Sequence, residues 1–144
     1  MMIRAAFLAI ALATPAVAQD IRIETPVLRV ASPASKTGAG YMVIRNTGRT
    51  ADTLLSVTTD ASTRSDLHGT IQSGGVMKMR AQEGGVPIAP GARVQFAPGG
   101  LHIMFIGLKK PVPPGTKVPA RLTFARAGVI DVVFTAEGFS PAGG

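Results

Sequence analysis

Four residues in the middle of the chain have side chains that bind soft metal ions: His68, Met79, His102 and Met104. The chain has two histidines, and both belong to this set. Two of its six methionines open the chain, and three of the other four lie within residues 68–104. A ligand set of imidazole and thioether without a thiolate favours Cu(I) over harder ions. The segment therefore makes the chain a candidate copper-binding protein.

The run LHIMF predicts a strand that holds two of these ligands. Alternate residues of a strand share a face, so Leu101, Ile103 and Phe105 point to one side and His102 and Met104 to the other. The apolar side belongs in the core. The Cα atoms of the two ligands are then about 6.7 Å apart, and their side chains can converge on one ion with bonds of about 2.0–2.3 Å.

Each ligand taken alone also has an ordinary structural interpretation. Met77 and Met79 share one face of a predicted strand, with Lys78 and Arg80 on the other, and methionines in that pattern usually fill a core. Met77 therefore stays open as an alternative to Met79. A lone histidine on a strand is more often a partly buried structural residue, and His68 by default belongs to a surface turn. The conjunction favours a site, because both histidines flank the methionine hairpin.

The rest of the chain predicts an all-β domain. Short β-branched segments alternate with Gly, Pro and Asn turn signals, which is typical of an antiparallel β-sandwich. Pro26 predicts an edge or a bulge in the first strand, and residues 32–40 and 84–91 are predicted loops. There are no repeats and no second domain. The predicted strands are residues 21–30, 41–45, 53–58, 64–71, 76–80, 93–96, 101–108, 117–124 and 129–134.

The N-terminus has the pattern of a secretory signal. Arg4 precedes an apolar run too short to span a bilayer, and Ala-Val-Ala ends it as a cleavage motif. A membrane anchor formed by the same segment is the alternative. No later stretch is long and apolar enough to span, and no cysteine follows to carry a lipid. We expect a signal peptide at 1–18 cleaved after Ala18, a periplasmic domain at 19–137, and a short disordered tail at 138–144.

Charge and composition exclude several functions. The net charge is +7, but the basic residues are scattered and the aromatics few, which does not fit nucleic-acid binding. Cysteine is absent, so disulfides, thiol redox chemistry and a blue-copper site are excluded. Asp66 lies too close to His68 in sequence for a serine-type triad, no serine is linked to the pair, and the acidic residues form no paired pattern. The chain is therefore not predicted to be an enzyme.

The spacing of the four ligands resembles the signature of the periplasmic copper(I) chaperone family PCuAC, H-x10-M-x21-H-x-M. Ten residues separate His68 from Met79, and His102-Ile103-Met104 matches H-x-M. Twenty-two residues separate Met79 from His102, one more than the signature, with a turn-rich stretch between them to take the insertion. Further similar stretches are GAGYMVIRNTG (38–48), GVMKMR (75–80), PGGLHIMFIGLKKP (98–111) and LTFARAG (122–128).

The resemblance implies a cupredoxin-like, antiparallel Greek-key β-sandwich with His68, Met79, His102 and Met104 as Cu(I) ligands. It implies a metallochaperone that delivers copper to the CuA centre of cytochrome c oxidase. Its partners would be copper donor and acceptor proteins, among them the CuA domain of oxidase subunit II, and the chain would act as a monomer. Some family members have a second, C-terminal His/Met-rich site, and the ending GFSPAGG predicts none here.

A periplasmic β-sandwich that binds a partner without metal is the alternative function. A histidine and a methionine of the set on opposite faces of the sheet would favour it.

Overall fold

The computed structural model describes residues 20–73, 76–81 and 84–137, with the backbone alone for 70–73 and 76–81. Every regular element in these ranges is a strand, which confirms the all-β prediction. The predicted leader and tail lie outside the described residues. The ten strands are β1 (Ile21–Val30), β2 (Thr37–Asn46), β3 (Asp52–Thr58), β4 (Ser62–Ser73), β5 (Val76–Ala81), β6 (Val86–Ile88), β7 (Arg93–Phe96), β8 (His102–Leu108), β9 (Lys117–Phe124) and β10 (Gly128–Glu137).

The strands form one hydrogen-bonded path that folds over on itself. Its order is β5-β4-β8-β2-β1-β10-β9-β3-β6, and β7 pairs with β2 off this path. Phe105 on β8 and Phe134 on β10 meet edge to face in the core, with ring centroids 5.5 Å apart. One half of the path therefore packs against the other as a sandwich. Among the described residues there is no helix of the length and apolarity needed to cross a membrane.

One strand pair was not anticipated. β1 pairs with β10 in parallel, with Val27 opposite Thr135, while the other strand pairs of the described residues are antiparallel. The predicted bulge at Pro26 is confirmed by a register shift between Glu24 and Val27. Thr25 has a φ of 48° at this point, a conformation that side-chain-bearing residues adopt mainly at such irregularities.

Two predicted loops contain strands instead. β2 begins at Thr37, inside the predicted loop 32–40. Its glycines do not form a turn; they let neighbouring strands and side chains approach closely. A Cβ on Gly38 would lie 2.9 Å from Cδ1 of Leu28. The predicted loop 84–91 contains β6, which pairs with the start of β3. β6 ends the strand path, and an edge strand tolerates a proline such as Pro87.

A buried carboxylate joins the start of β3 to the β9–β10 turn. Asp52 is 6% exposed. Its Oδ1 accepts hydrogen bonds from the backbone N–H groups of Thr53 (2.7 Å) and Arg126 (2.8 Å), and its Oδ2 accepts one from Ala127 (2.9 Å). The turn between two strands is thus held against a third strand by one side chain.

Replacement of this carboxylate should destabilise the fold. We expect Asp52→Ala to lower the free energy of unfolding by about 2–3 kcal/mol, because three N–H groups lose a charged acceptor. Urea unfolding measures the change. The control is Asp131→Ala, whose side chain is 85% exposed and whose loss should change stability by less than about 0.5 kcal/mol. Equal effects of the two substitutions would contradict the role of Asp52 in holding the β9–β10 turn against β3.

Candidate metal centre

The site begins with the alternation along β8. Ile103 and Phe105 have no exposed surface and face the core, as predicted. His102 and Met104 lie on the opposite face, where His102 is 7% exposed and Met104 is partly buried. Burial of the apolar face therefore turns both candidate ligands of this strand to the outer side of the sheet.

β4 brings the second histidine beside the first. His68 lies opposite His102 in the β4–β8 ladder, and their rings meet edge to face with centroids 5.6 Å apart. An imidazole bound at about 2.1 Å has its centroid about 3.2 Å from the ion once the ring radius is added, so rings that share one ion have centroids at most about 6.4 Å apart. The observed separation lies within that limit.

The two rings differ in which nitrogen is engaged. Nδ1 of His102 lies 3.2 Å from the carbonyl oxygen of Gly100. A carbonyl only accepts, so this nitrogen is the donor and Nε2 keeps the free lone pair. Nδ1 of His68 is buried and has no hydrogen-bond partner among the described residues. Buried polar nitrogens are nearly always satisfied, so this nitrogen, next to a second imidazole, fits a metal ligand.

A carboxylate also adjoins the pair. Asp66 lies two residues before His68 on the same face of β4 and directly opposite Met104. Its Oδ2 is 3.8 Å from Nε2 of His68 and 3.0 Å from Nε of Arg64. The carboxylate is thus held between an arginine and the histidine, with 29% of its side chain exposed.

The backbone register places the remaining methionine. Met79 on β5 lies opposite Thr70 of β4, two residues along from His68, and Met77 lies opposite Gln72, four residues along. Paired residues of an antiparallel ladder share a face, so both methionines belong to the face of the histidines. Met79 is about 7 Å along the strand from the level of the histidine pair and Met77 about 14 Å. The register therefore favours Met79.

The structure brings the predicted set onto one face of three adjacent strands. The imidazoles pair at the centre, and Met79 and Met104 lie one pleat repeat to either side along the strands. A histidine and a methionine on opposite faces would favour the non-metal alternative, and the register does not give that arrangement. Among the described residues, no group of three or more His, Cys, Asp or Glu side chains is placed to hold a metal ion.

Sequence reasoning missed two neighbours of the site. The sequence pattern raises Asp66 only as a possible member of a catalytic triad. Its spacing of two residues from His68 on a strand nevertheless puts both on the same face. The second neighbour is the backbone carbonyl of Gly100. Every residue has such a group, so the residue type does not predict its role.

Comparison with known proteins assigns the family. The family model described as "Putative lipoprotein LpqE-like" matches residues 21–136. The chain belongs to the LpqE-like family. A relative from Leifsonia xyli subsp. xyli (strain CTCB07), named "Putative lipoprotein Lxx21020", is 32% identical over 104 residues. That match spans 72% of this chain and 63% of the relative, which is less than two thirds of the relative's length.

Solved structures confirm the resemblance to PCuAC domains. The copper-bound PCuAC domain from PmoF2 superposes on this LpqE-like chain with a TM-score of 0.71 at 24% identity, covering 83% of this chain and 94% of that domain. The solution structure of CuI-DR1885 from Deinococcus radiodurans has a TM-score of 0.65 at 25% identity, covering 87% and 85% of the two chains. The LpqE-like domain therefore has the PCuAC fold, and the predicted sandwich is confirmed.

β2 packs closely against the core side chains of β8, the strand that carries His102 and Met104. A Cβ on Gly40 would lie 2.7 Å from Cε2 of Phe105 and 3.2 Å from Cβ of Ile103. We expect Gly40→Ala to lower the free energy of unfolding by about 1–3 kcal/mol, because the core side chains of β8 must move. Thermal or urea unfolding measures the loss.

The matched control for this substitution lies at the other side of the site. In Gly100→Ala the new Cβ meets nothing closer than the carbonyl oxygen of Ala97 at 3.6 Å, so stability should change by less than about 0.5 kcal/mol. A Gly40→Ala variant as stable as the Gly100→Ala variant would contradict tight packing between β2 and β8.

Proposed function

We propose that the chain is an exported copper chaperone that binds one Cu(I) ion at His68, Met79, His102 and Met104. The observation that carries the proposal is the His68–His102 pair, with its rings 5.6 Å apart and one buried nitrogen that has no partner in the described part of the chain. Met104 shares the face of this pair, and the backbone register of Met79, opposite Thr70, supports its inclusion. The relatives add support, since one solved PCuAC domain is copper-bound and another structure is of a CuI form.

The ligand chemistry suits transport of the reduced ion. Two neutral imidazoles and two thioethers leave the bound site with only the +1 charge of Cu(I), and thioethers give little to Zn(II), Mg(II) or Ca(II). His68 keeps 20% of its side chain exposed, so an incoming ligand can reach the ion from solvent. A carrier of this kind releases its cargo by exchanging ligands one at a time, without a change of oxidation state.

Copper affinity tests the site directly. We expect the wild-type protein to bind one Cu(I) per chain in competition with a Cu(I) chelator. A His102→Ala, Met104→Ala double variant should bind at least about 100-fold more weakly, which is a loss of about 2.8 kcal/mol. Met42→Leu is the control, because Met42 is 1% exposed in the core and should leave the affinity unchanged. Equally weak binding by the wild type and the double variant would sink the proposal.

The same competition assay separates the two methionines of β5. Met79→Leu should weaken Cu(I) binding by at least about tenfold, or about 1.4 kcal/mol, whereas Met77→Leu should not. The reverse order would make Met77 the ligand and would mean that β5 shifts its register on loading.

We further propose periplasmic delivery to the CuA centre of cytochrome c oxidase, as the resemblance to the family implies. The lipoprotein names of the family and its relative support export. Cu(I)-loaded protein mixed with the copper-free CuA domain of subunit II should lose its copper to that domain. Copper is counted in each protein after the two are separated. Free Cu(I) at the same concentration, buffered by chelator, is the control for transfer that does not need the protein. Equal transfer from the buffered ion would contradict a delivery role.

A further inference from the structure

Which nitrogen of an imidazole binds a metal is decided by what its other nitrogen does. A ligating histidine usually donates its second N–H to a carbonyl or a carboxylate, and this fixes both the tautomer and the orientation of the ring. The two histidines of this site have different neighbours, so the same rule gives a different answer for each.

His102 is set up to bind through Nε2. Its Nδ1 donates to the carbonyl oxygen of Gly100 at 3.2 Å. That oxygen belongs to the turn immediately before β8, and it is fixed by the backbone rather than by a mobile side chain. The proton therefore stays on Nδ1, and Nε2 presents its lone pair.

His68 has the opposite arrangement. Its Nε2 faces Oδ2 of Asp66 at 3.8 Å, and its Nδ1 is the buried nitrogen for which the described residues offer no partner. A carboxylate accepts and does not donate when ionised, so it favours the tautomer with the proton on Nε2. The separation is longer than a hydrogen bond, so the carboxylate acts on the ring through its charge.

Arg64 holds the carboxylate in place. Its Nε lies 3.0 Å from the same Oδ2 of Asp66, and Arg64, Asp66 and His68 succeed one another at alternate positions of β4. The carboxylate is also opposite Met104, so it adjoins two of the four proposed ligands, His68 and Met104. A negative charge in this position offsets the +1 charge that the neutral ligand set leaves on Cu(I).

We propose that Asp66 is a positioning residue that makes His68 bind the ion through Nδ1, while His102 binds through Nε2. The inference rests on the proposed function, because it concerns the same Cu(I) ion.

Nitrogen NMR tests the assignment. Cu(I) is diamagnetic, so long-range ¹H–¹⁵N spectra of ¹⁵N-histidine-labelled protein, with and without Cu(I), identify the nitrogen of each ring that changes on binding. We expect the large ¹⁵N shift at Nδ1 for His68 and at Nε2 for His102. A shift at Nε2 of His68 overturns the inference and leaves the proposed function intact. Failure of the wild type to bind Cu(I) overturns both.

Substitution of the carboxylate gives the second readout. Asp66→Asn should weaken Cu(I) binding by about tenfold and should leave a mixture of Nδ1- and Nε2-protonated His68 in the metal-free spectrum. Asp131→Asn is the matched control, since Asp131 also pairs with an arginine, Arg121, but on the β9–β10 hairpin; its affinity and spectrum should match the wild type. An Asp66→Asn protein with wild-type affinity and an unchanged His68 tautomer contradicts the positioning role.

Discussion

Burial of the inner face of β8 is the constraint on which the site depends. Ile103 and Phe105 are fully enclosed, and burial of two such side chains stabilises the fold by about 3–6 kcal/mol. A slip of β8 by one residue would expose both and turn His102 and Met104 into the core. The register of the strand, and with it the direction of two candidate ligands, is therefore fixed by hydrophobic packing and needs no metal.

The neighbouring strands extend this order outward. β4 aligns His68 with His102 through the same ladder that pairs the buried Leu67 with Ile103, so one register sets both the core and the imidazole pair. On the other side, Gly40 lets β2 approach the ring of Phe105. Because the β4–β8 register itself puts the two rings together, binding an ion there would cost little reorganisation. Preorganisation of this kind raises affinity by removing an entropic penalty rather than by adding contacts.

Local patterns explain what the sequence could predict and what it could not. Apolar alternation predicted β7 and β9 to the residue and placed His102 and Met104 on one outer face. The prediction of a loop at residues 32–40 was wrong, because glycines that allow close packing have the same sequence pattern as glycines in turns. The adjacency of His68 to His102 and the parallel β1–β10 pair depend on contacts far apart in sequence, which alternation within a strand does not encode. The family resemblance supplied the ligand set, but it carried no information about Asp66.

The layout of the four proposed ligands indicates where release of a bound Cu(I) ion would begin. The imidazoles lie on β4 and β8, and both strands are paired on two sides, whereas β5 ends the described strand path and is paired with β4 alone. Strands at the margin of a sheet open at lower free energy than those inside it. Loss of the thioether of Met79 as β5 loosens would leave Cu(I) three-coordinate and open to an acceptor's ligand. The histidine pair, on strands paired on both sides, would stay bound to the ion until that ligand coordinates it. The ion would then pass to the acceptor without release to solvent.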